Sequence, residues 1–72
     1  MKNNNIHIGA NIRKLRKDMK LSQDDLCYLL KLESKSTVCG YEKGKWYPTL
    51  DHIIRMTEIF NVSIQDLILK KL

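Results

Sequence analysis

Residues 21–45 read LSQDDLCYLLKLESKSTVCGYEKGK, two short helical patterns separated by a polar break. Ser22 followed three residues later by Asp25 is a capping-box signal, with Asp in place of the preferred Glu or Gln. Leu21, just before it, stands where a hydrophobic staple belongs. Leu26, Leu29 and Leu30 recur at helical spacing and are expected to face inward, with the helix ending near Lys31. Glu33 to Thr37 is polar, and Ser34 is the N-cap candidate for the next helix. That helix is expected to run to about Lys43 and stop at Gly44, a natural C′ residue. Its apolar side is thin: Val38 and Tyr41, with small Thr37 between them. A helix with so little core face is held by its neighbours and leaves most of its surface exposed.

Upstream, Ile8, Ile12, Leu15 and Met19 recur at steps of four, three and four, the stripe of an amphipathic helix from about His7 to Met19. Its opposite face carries Arg13, Lys14, Lys17 and Lys20. Downstream, Lys45-Trp46-Tyr47-Pro48 is a loop, because Pro48 disfavours helix at Tyr47. Thr49 then caps a fourth helix with Leu50, Ile53, Ile54, Thr57 and Phe60 on its inner side, and Asn61 is its expected stop. Ser63 with Asp66 repeats the cap signal for a fifth helix lined by Ile64, Leu67 and Ile68. Met1 to Asn5 is polar and expected to fray. No hairpin signal, repeat or linker divides residues 1–72, so the expectation is one all-α domain of five helices.

The chain has 72 residues, 43% of them hydrophobic, enough for one modest core without disulfides or a metal. Its formal charge of +5 suits a polyanionic partner, although charge alone discriminates little. No window approaches the roughly 18 apolar residues of a membrane span, and the start MKNNNIHIGANIRK lacks the apolar core of a signal peptide. A cytoplasmic protein without membrane association is expected. Cys27 and Cys39 have no second Cys or His at metal-ligand spacing and are read as free thiols, with no metal site. His7 and His52 have no paired nucleophile or carboxylate dyad, and there is no phosphate-binding Gly loop. The expectation is no enzyme, no cofactor and no small-molecule ligand.

Six stretches, taken in order, point to a family. They are Ile12-Arg13-Lys14-Leu15-Arg16, Leu21-Ser22-Gln23-Asp24-Asp25-Leu26, Ser36-Thr37-Val38, Tyr41-Glu42-Lys43-Gly44-Lys45, Pro48-Thr49-Leu50 and Val62-Ser63-Ile64-Gln65-Asp66-Leu67. In this order and spacing the chain resembles the Cro/phage-repressor type of helix-turn-helix domain, the XRE family. The resemblance implies a five-helix lambda-repressor-like fold and double-stranded DNA as partner. The second helix would lie across the phosphate backbone and the third would enter the major groove. Gln23 would meet a phosphate from the first turn of helix two. Lys35 and Ser36, with Thr37, would open the reading helix, Lys35 donating to guanine O6 and N7. Cys39 and Gly40 are expected one turn further on, on the same exposed face. Cys39 is either a contact to a thymine methyl or a solvent-facing thiol.

The family usually has a longer polar residue at the position of Gly40, so direct reading is lost there and a close backbone approach is the alternative. Lys43, Gly44 and Lys45 match the family's phosphate-clamping turn. Arg16 and Glu42 match an ion pair that orients the groove helix, and Cys27 matches a small buried position. The turn Lys31-Leu32-Glu33 is one residue longer than usual and has Lys31 where the family has Gly. The extra residue is expected to let the chain turn without a left-handed glycine.

Such a domain is expected to act as a homodimeric repressor on a palindromic operator. Candidate interface residues are Trp46, Tyr47, Ile68, Leu69 and Leu72, against the alternative that Trp46 folds over its own core and Leu72 frays. An antitoxin or a restriction-modification controller shares the mechanism. A protein-interaction module on the same scaffold does not, and Lys35, Lys43 and Lys45 argue against it.

Overall fold

The computed structural model describes residues 7–72, so the expected fraying of Met1–Asn5 lies outside the described residues. Five helices follow one another: α1 (Ile8–Asp18), α2 (Gln23–Leu29), α3 (Lys35–Glu42), α4 (Leu50–Phe60) and α5 (Ile64–Ile68). Every described element is helical, as the periodicity predicts. Side-chain oxygens cap four of the five starts. Ser22 accepts from the Asp25 N–H while Asp25 accepts from the Ser22 N–H, a complete capping box. Ser34, Thr49 and Ser63 each accept from an N–H in the following first turn.

The helix ends share a device that the sequence signals at Gly44 and Asn61 but not at Lys20 and Lys31. After α1, α2, α3 and α4 come Lys20, Lys31, Gly44 and Asn61, all left-handed with φ of 59°, 58°, 75° and 56°. Behind each, the next N–H reaches back to a carbonyl one turn inside: Leu21 to Arg16, Leu32 to Cys27, Lys45 to Gly40 and Val62 to Thr57. These are Schellman closures, and three of the four residues after the left-handed one are half-buried aliphatics, Leu21, Leu32 and Val62. The lengthened turn therefore dispenses with glycine but not with its geometry, because Lys31 itself takes the left-handed conformation.

Ile8, Ile12, Leu26, Leu30, Val38, Tyr41, Ile53, Met56, Phe60 and Leu67 form the core, with Cys27 among them. The expected inner stripes are partly corrected. Met19, Leu29, Leu50, Ile54 and Ile64 are exposed. On α4 the core side is Ile53-Met56-Phe60, so the helix is turned away from the expected Leu50–Ile54 edge and buries Met56 instead. Met19 and Leu29 lie at the C-terminal ends of their helices, and at the end of α2 it is Leu30, one residue on, that enters the core.

Helix α3 packs against both α1 and α2, while α5 packs against α1 and α4. Gly9 permits the α1–α3 crossing, since a Cβ there would stand 2.5 Å from the Tyr41 carbonyl oxygen. Buried Asn11 joins the two ends of the described chain. Its amide donates to the carbonyls of Leu67 at 2.8 Å and Lys70 at 2.6 Å, and its oxygen accepts from the Leu72 N–H at 3.2 Å.

Candidate functional site

Val38 and Tyr41 anchor α3 from beneath, so the helix is held along one side and open along the other. The Tyr41 hydroxyl lies 2.9 Å from His52 Nδ1, tying α3 to α4, and burial pushes that hydroxyl above its ordinary pKa of 10.0. At the far end of α3, Glu42 receives three hydrogen bonds. Arg16 donates from Nε at 2.6 Å and from Nη2 at 3.2 Å, and Gln23 donates from Nε2 at 3.1 Å. Arg16 also donates from Nη1 to the Leu21 carbonyl at 2.7 Å. One guanidinium thus connects α1, the α1–α2 turn and the end of α3. The pair is desolvated, with side chains 9% and 4% exposed, and the planar fork matches the carboxylate.

Arg16 lies four residues after Ile12 on the inward stripe of α1, which is the signal that it is buried. Nothing in the sequence signals that Gln23 reaches the same carboxylate. This link leaves Gln23 its second amide hydrogen and its oxygen for another partner.

A hollow of about 310 Å³ opens over this cluster, lined by Arg13, Arg16, Lys17, Gln23, Cys39, Glu42 and Lys43. Arg13, Lys17 and Lys43 are exposed around it, while the one carboxylate in it is already neutralised by Arg16. The hollow suits an anion. Further along, Lys35 is exposed at the start of α3, with its ammonium 4.0 Å from Asp24. The Ser36 and Ser34 hydroxyls are 2.7 Å apart, so Ser36 is partly engaged with the cap. Thr37 and Cys39 are half-buried. Lys43, Gly44 and Lys45 are exposed in the closure that ends α3.

Gly40 departs from expectation. It lies on the outer stripe of α3 but is buried rather than exposed, because Trp46 lies over it. A Cβ at residue 40 would fall on the indole Nε1 and 2.6 Å from Cδ1 and Cε2. The close approach that a missing side chain permits is made by the chain's own loop.

The candidate interface residues divide. Tyr47 and Leu69 are exposed, about half of each, whereas Ile68 packs against the core. Leu72 is half-buried and its N–H is bound to Asn11, so it is not frayed. Trp46 is 54% exposed but spends part of its ring on Gly40. Leu50 and Ile54 on α4 and Ile64 on α5 are exposed aliphatics that the expected inner stripes concealed. Among the described residues no helix is long and apolar enough to cross a membrane, and no cluster of three or more His, Cys, Asp or Glu is placed to hold a metal ion.

Residues 12–67 match the family model described as helix-turn-helix. Among solved structures, the chain is similar to a transcriptional regulator from Listeria innocua, at 27% identity and a TM-score of 0.83, over 88% of this chain and 58% of that one. The chain thus spans little more than half of that regulator's length. It is also similar to the restriction-modification controller protein C.AhdI from Aeromonas hydrophila, at 30% identity and a TM-score of 0.73, over 83% of this chain and 89% of that one. The P22 c2 repressor, solved in complex with a synthetic operator, shares the fold at 20% identity and a TM-score of 0.81, over 89% of this chain and 96% of that one. No curated protein sequence matches the chain.

Proposed function

This chain belongs to the Cro/phage-repressor (XRE) type of helix-turn-helix family, and from that premise we propose that it binds duplex DNA through α3 and regulates transcription. The observation that carries this reading is the open side of α3. The helix is fixed from beneath by Tyr41 and at its end by Glu42, yet presents Lys35, Ser36 and Lys43 to solvent beside a basic hollow. A rigid helix with a polar, cationic outer edge fits the major groove. Lys35 and Ser36 meet base edges, with Thr37 and Cys39 behind them. Arg13, Lys17, Lys43 and the spare amide hydrogen of Gln23 hold a phosphate over the hollow, and Gly44 with Lys45 follows the same strand.

The finer reading is a homodimeric repressor on an inverted repeat. Tyr47 and Leu69, joined by Leu50 and Ile54, supply exposed apolar area for a symmetric contact. A restriction-modification controller is the second reading, favoured by the 30% identity with C.AhdI across most of that protein.

Selecting bound sequences from a random duplex pool tests the proposal. The expected result is an enriched inverted repeat, with binding lost on Lys35→Glu and Lys45→Glu. No enrichment at low salt overturns specific DNA recognition, and an enriched single half-site overturns the dimer.

A further inference from the structure

Ser36, Gly40 and Lys43 are spaced by four and three residues and fall on one stripe of α3. Ser36 and Lys43 are exposed, and the stripe is the one that faces outward from the core. Between them Gly40 contributes no side chain, and the volume its side chain would fill belongs to the Trp46 indole. The loop is held there by its own backbone, for the Lys45 N–H donates to the Gly40 carbonyl at 2.8 Å. The indole is not sealed in: about half of Trp46 stays exposed, and among the described residues its ring N–H has no acceptor. The Lys45 ammonium sits 5.6 Å from the ring centroid, which adds a cation beside the donor.

We propose that the Trp46 indole is itself a DNA contact, standing in for the side chain that residue 40 lacks. Its N–H donates to an acceptor oxygen or nitrogen of duplex DNA, either a phosphate or a base edge, from a position within the α3 reading stripe. This rests on the DNA-binding reading above. The contact surface is then composite, with Ser36 toward the bases and Lys43 toward the phosphates supplied by the helix, and the central donor supplied by the loop that follows it. It also gives Gly40 a reason to be glycine, because any side chain there expels the indole.

The test uses the duplex recovered by selection from a random pool, with the full chain. Trp46→Phe keeps the ring and deletes the donor, and it is expected to weaken binding by about tenfold with unchanged thermal unfolding. Trp46→Ala removes the ring as well. Adding Gly40→Gln to Trp46→Ala returns an amide donor to the vacated space and is expected to restore part of the affinity. Trp46 is the chain's one tryptophan, so its emission reports on the site alone. Its accessibility to acrylamide is expected to fall on binding DNA. A uniform loss across operator variants assigns the acceptor to a phosphate, and a loss confined to one base position assigns it to a base edge. Wild-type affinity in Trp46→Phe, together with wild-type emission whose quenching does not change on binding DNA, overturns the proposal while leaving DNA binding intact. Failure of the wild type to bind any duplex at low salt overturns both.

Discussion

Glu42 accepts three hydrogen bonds in a pocket where its charge is almost wholly desolvated, so its value lies in what its loss would leave behind. Removing one partner of a buried pair strands the other and costs about 3–5 kcal/mol. Glu42→Ala is therefore expected to lower stability by about that amount in urea unfolding. Gln23→Ala, which deletes a neutral donor, is expected to cost only about 1 kcal/mol. Equal effects of the two would contradict the assignment of the guanidinium–carboxylate pair as the centre of the cluster. Asp25 behaves differently, because it is exposed and works through geometry. The Ser22 N–H at 2.8 Å and the Ser22 hydroxyl hold its carboxyl below the ordinary aspartate value of 3.8. A depressed folded pKa means that the contribution is present above the unfolded value and is lost as pH falls through the folded one. An NMR titration of Asp25 is expected to show a midpoint below 3.8, and the stability gap between wild type and Asp25→Asn is expected to close in acid.

At the scale of elements, the helix ends govern how much of the structure was legible. Starts were readable because their chemistry is local: Ser22, Ser34, Thr49 and Ser63 each announce a cap by residue type. Stops near Met19 and Lys31 were readable from where the apolar stripes end. The left-handed closure was announced by residue type only at Gly44 and Asn61, since Lys20 and Lys31 are not residues that favour left-handed backbone. Faces were readable on α1, as at Ile8 and Ile12, and misread on α4 at Leu50 and Ile54, where the outcome depends on which neighbour arrives. In the candidate site, Arg16 with Glu42 was legible from the family resemblance, whereas Gly40 under Trp46 was not. The Gly44 closure that returns the Lys45 N–H to the Gly40 carbonyl is a local pattern, but it does not say where the Trp46 ring comes to rest. The Lys31 strain is testable. Lys31→Gly removes a steric cost of about 1 kcal/mol, offset in part by the greater freedom of glycine in the unfolded chain. It is expected to raise Tm by a few degrees, while Gly44→Ala, introducing a Cβ at φ 75°, is expected to lower it. A destabilising Lys31→Gly would show that the lysine side chain makes a compensating contact.

For the molecule as a whole, the basic groups around α3 act as a sum rather than singly. Each phosphate neutralised releases condensed counterion, so the logarithm of affinity falls linearly with the logarithm of salt concentration. Lys43→Gln and Lys45→Gln are each expected to flatten that line by about one unit of slope with no change in which sequences are preferred. Lys35→Gln is expected to alter the preference as well. An unchanged slope in Lys45→Gln would remove the α3–α4 loop from the phosphate path.

Asn11 has a consequence for the order in which the molecule assembles. Its side chain bonds residues 55 to 61 positions away, closing a loop of nearly the whole chain. Contacts of such long range repay their closure entropy only when the intervening helices are in place, so they form after the rate-limiting step. Asn11→Ala is accordingly expected to leave the refolding rate near wild type and to speed unfolding by roughly tenfold, as read from the two arms of a stopped-flow chevron. A slowed refolding arm with an unchanged unfolding arm would place Asn11 in the folding nucleus instead. The residue that fastens the end of the chain to its first helix is then a latch on the native state's lifetime, set last and released first.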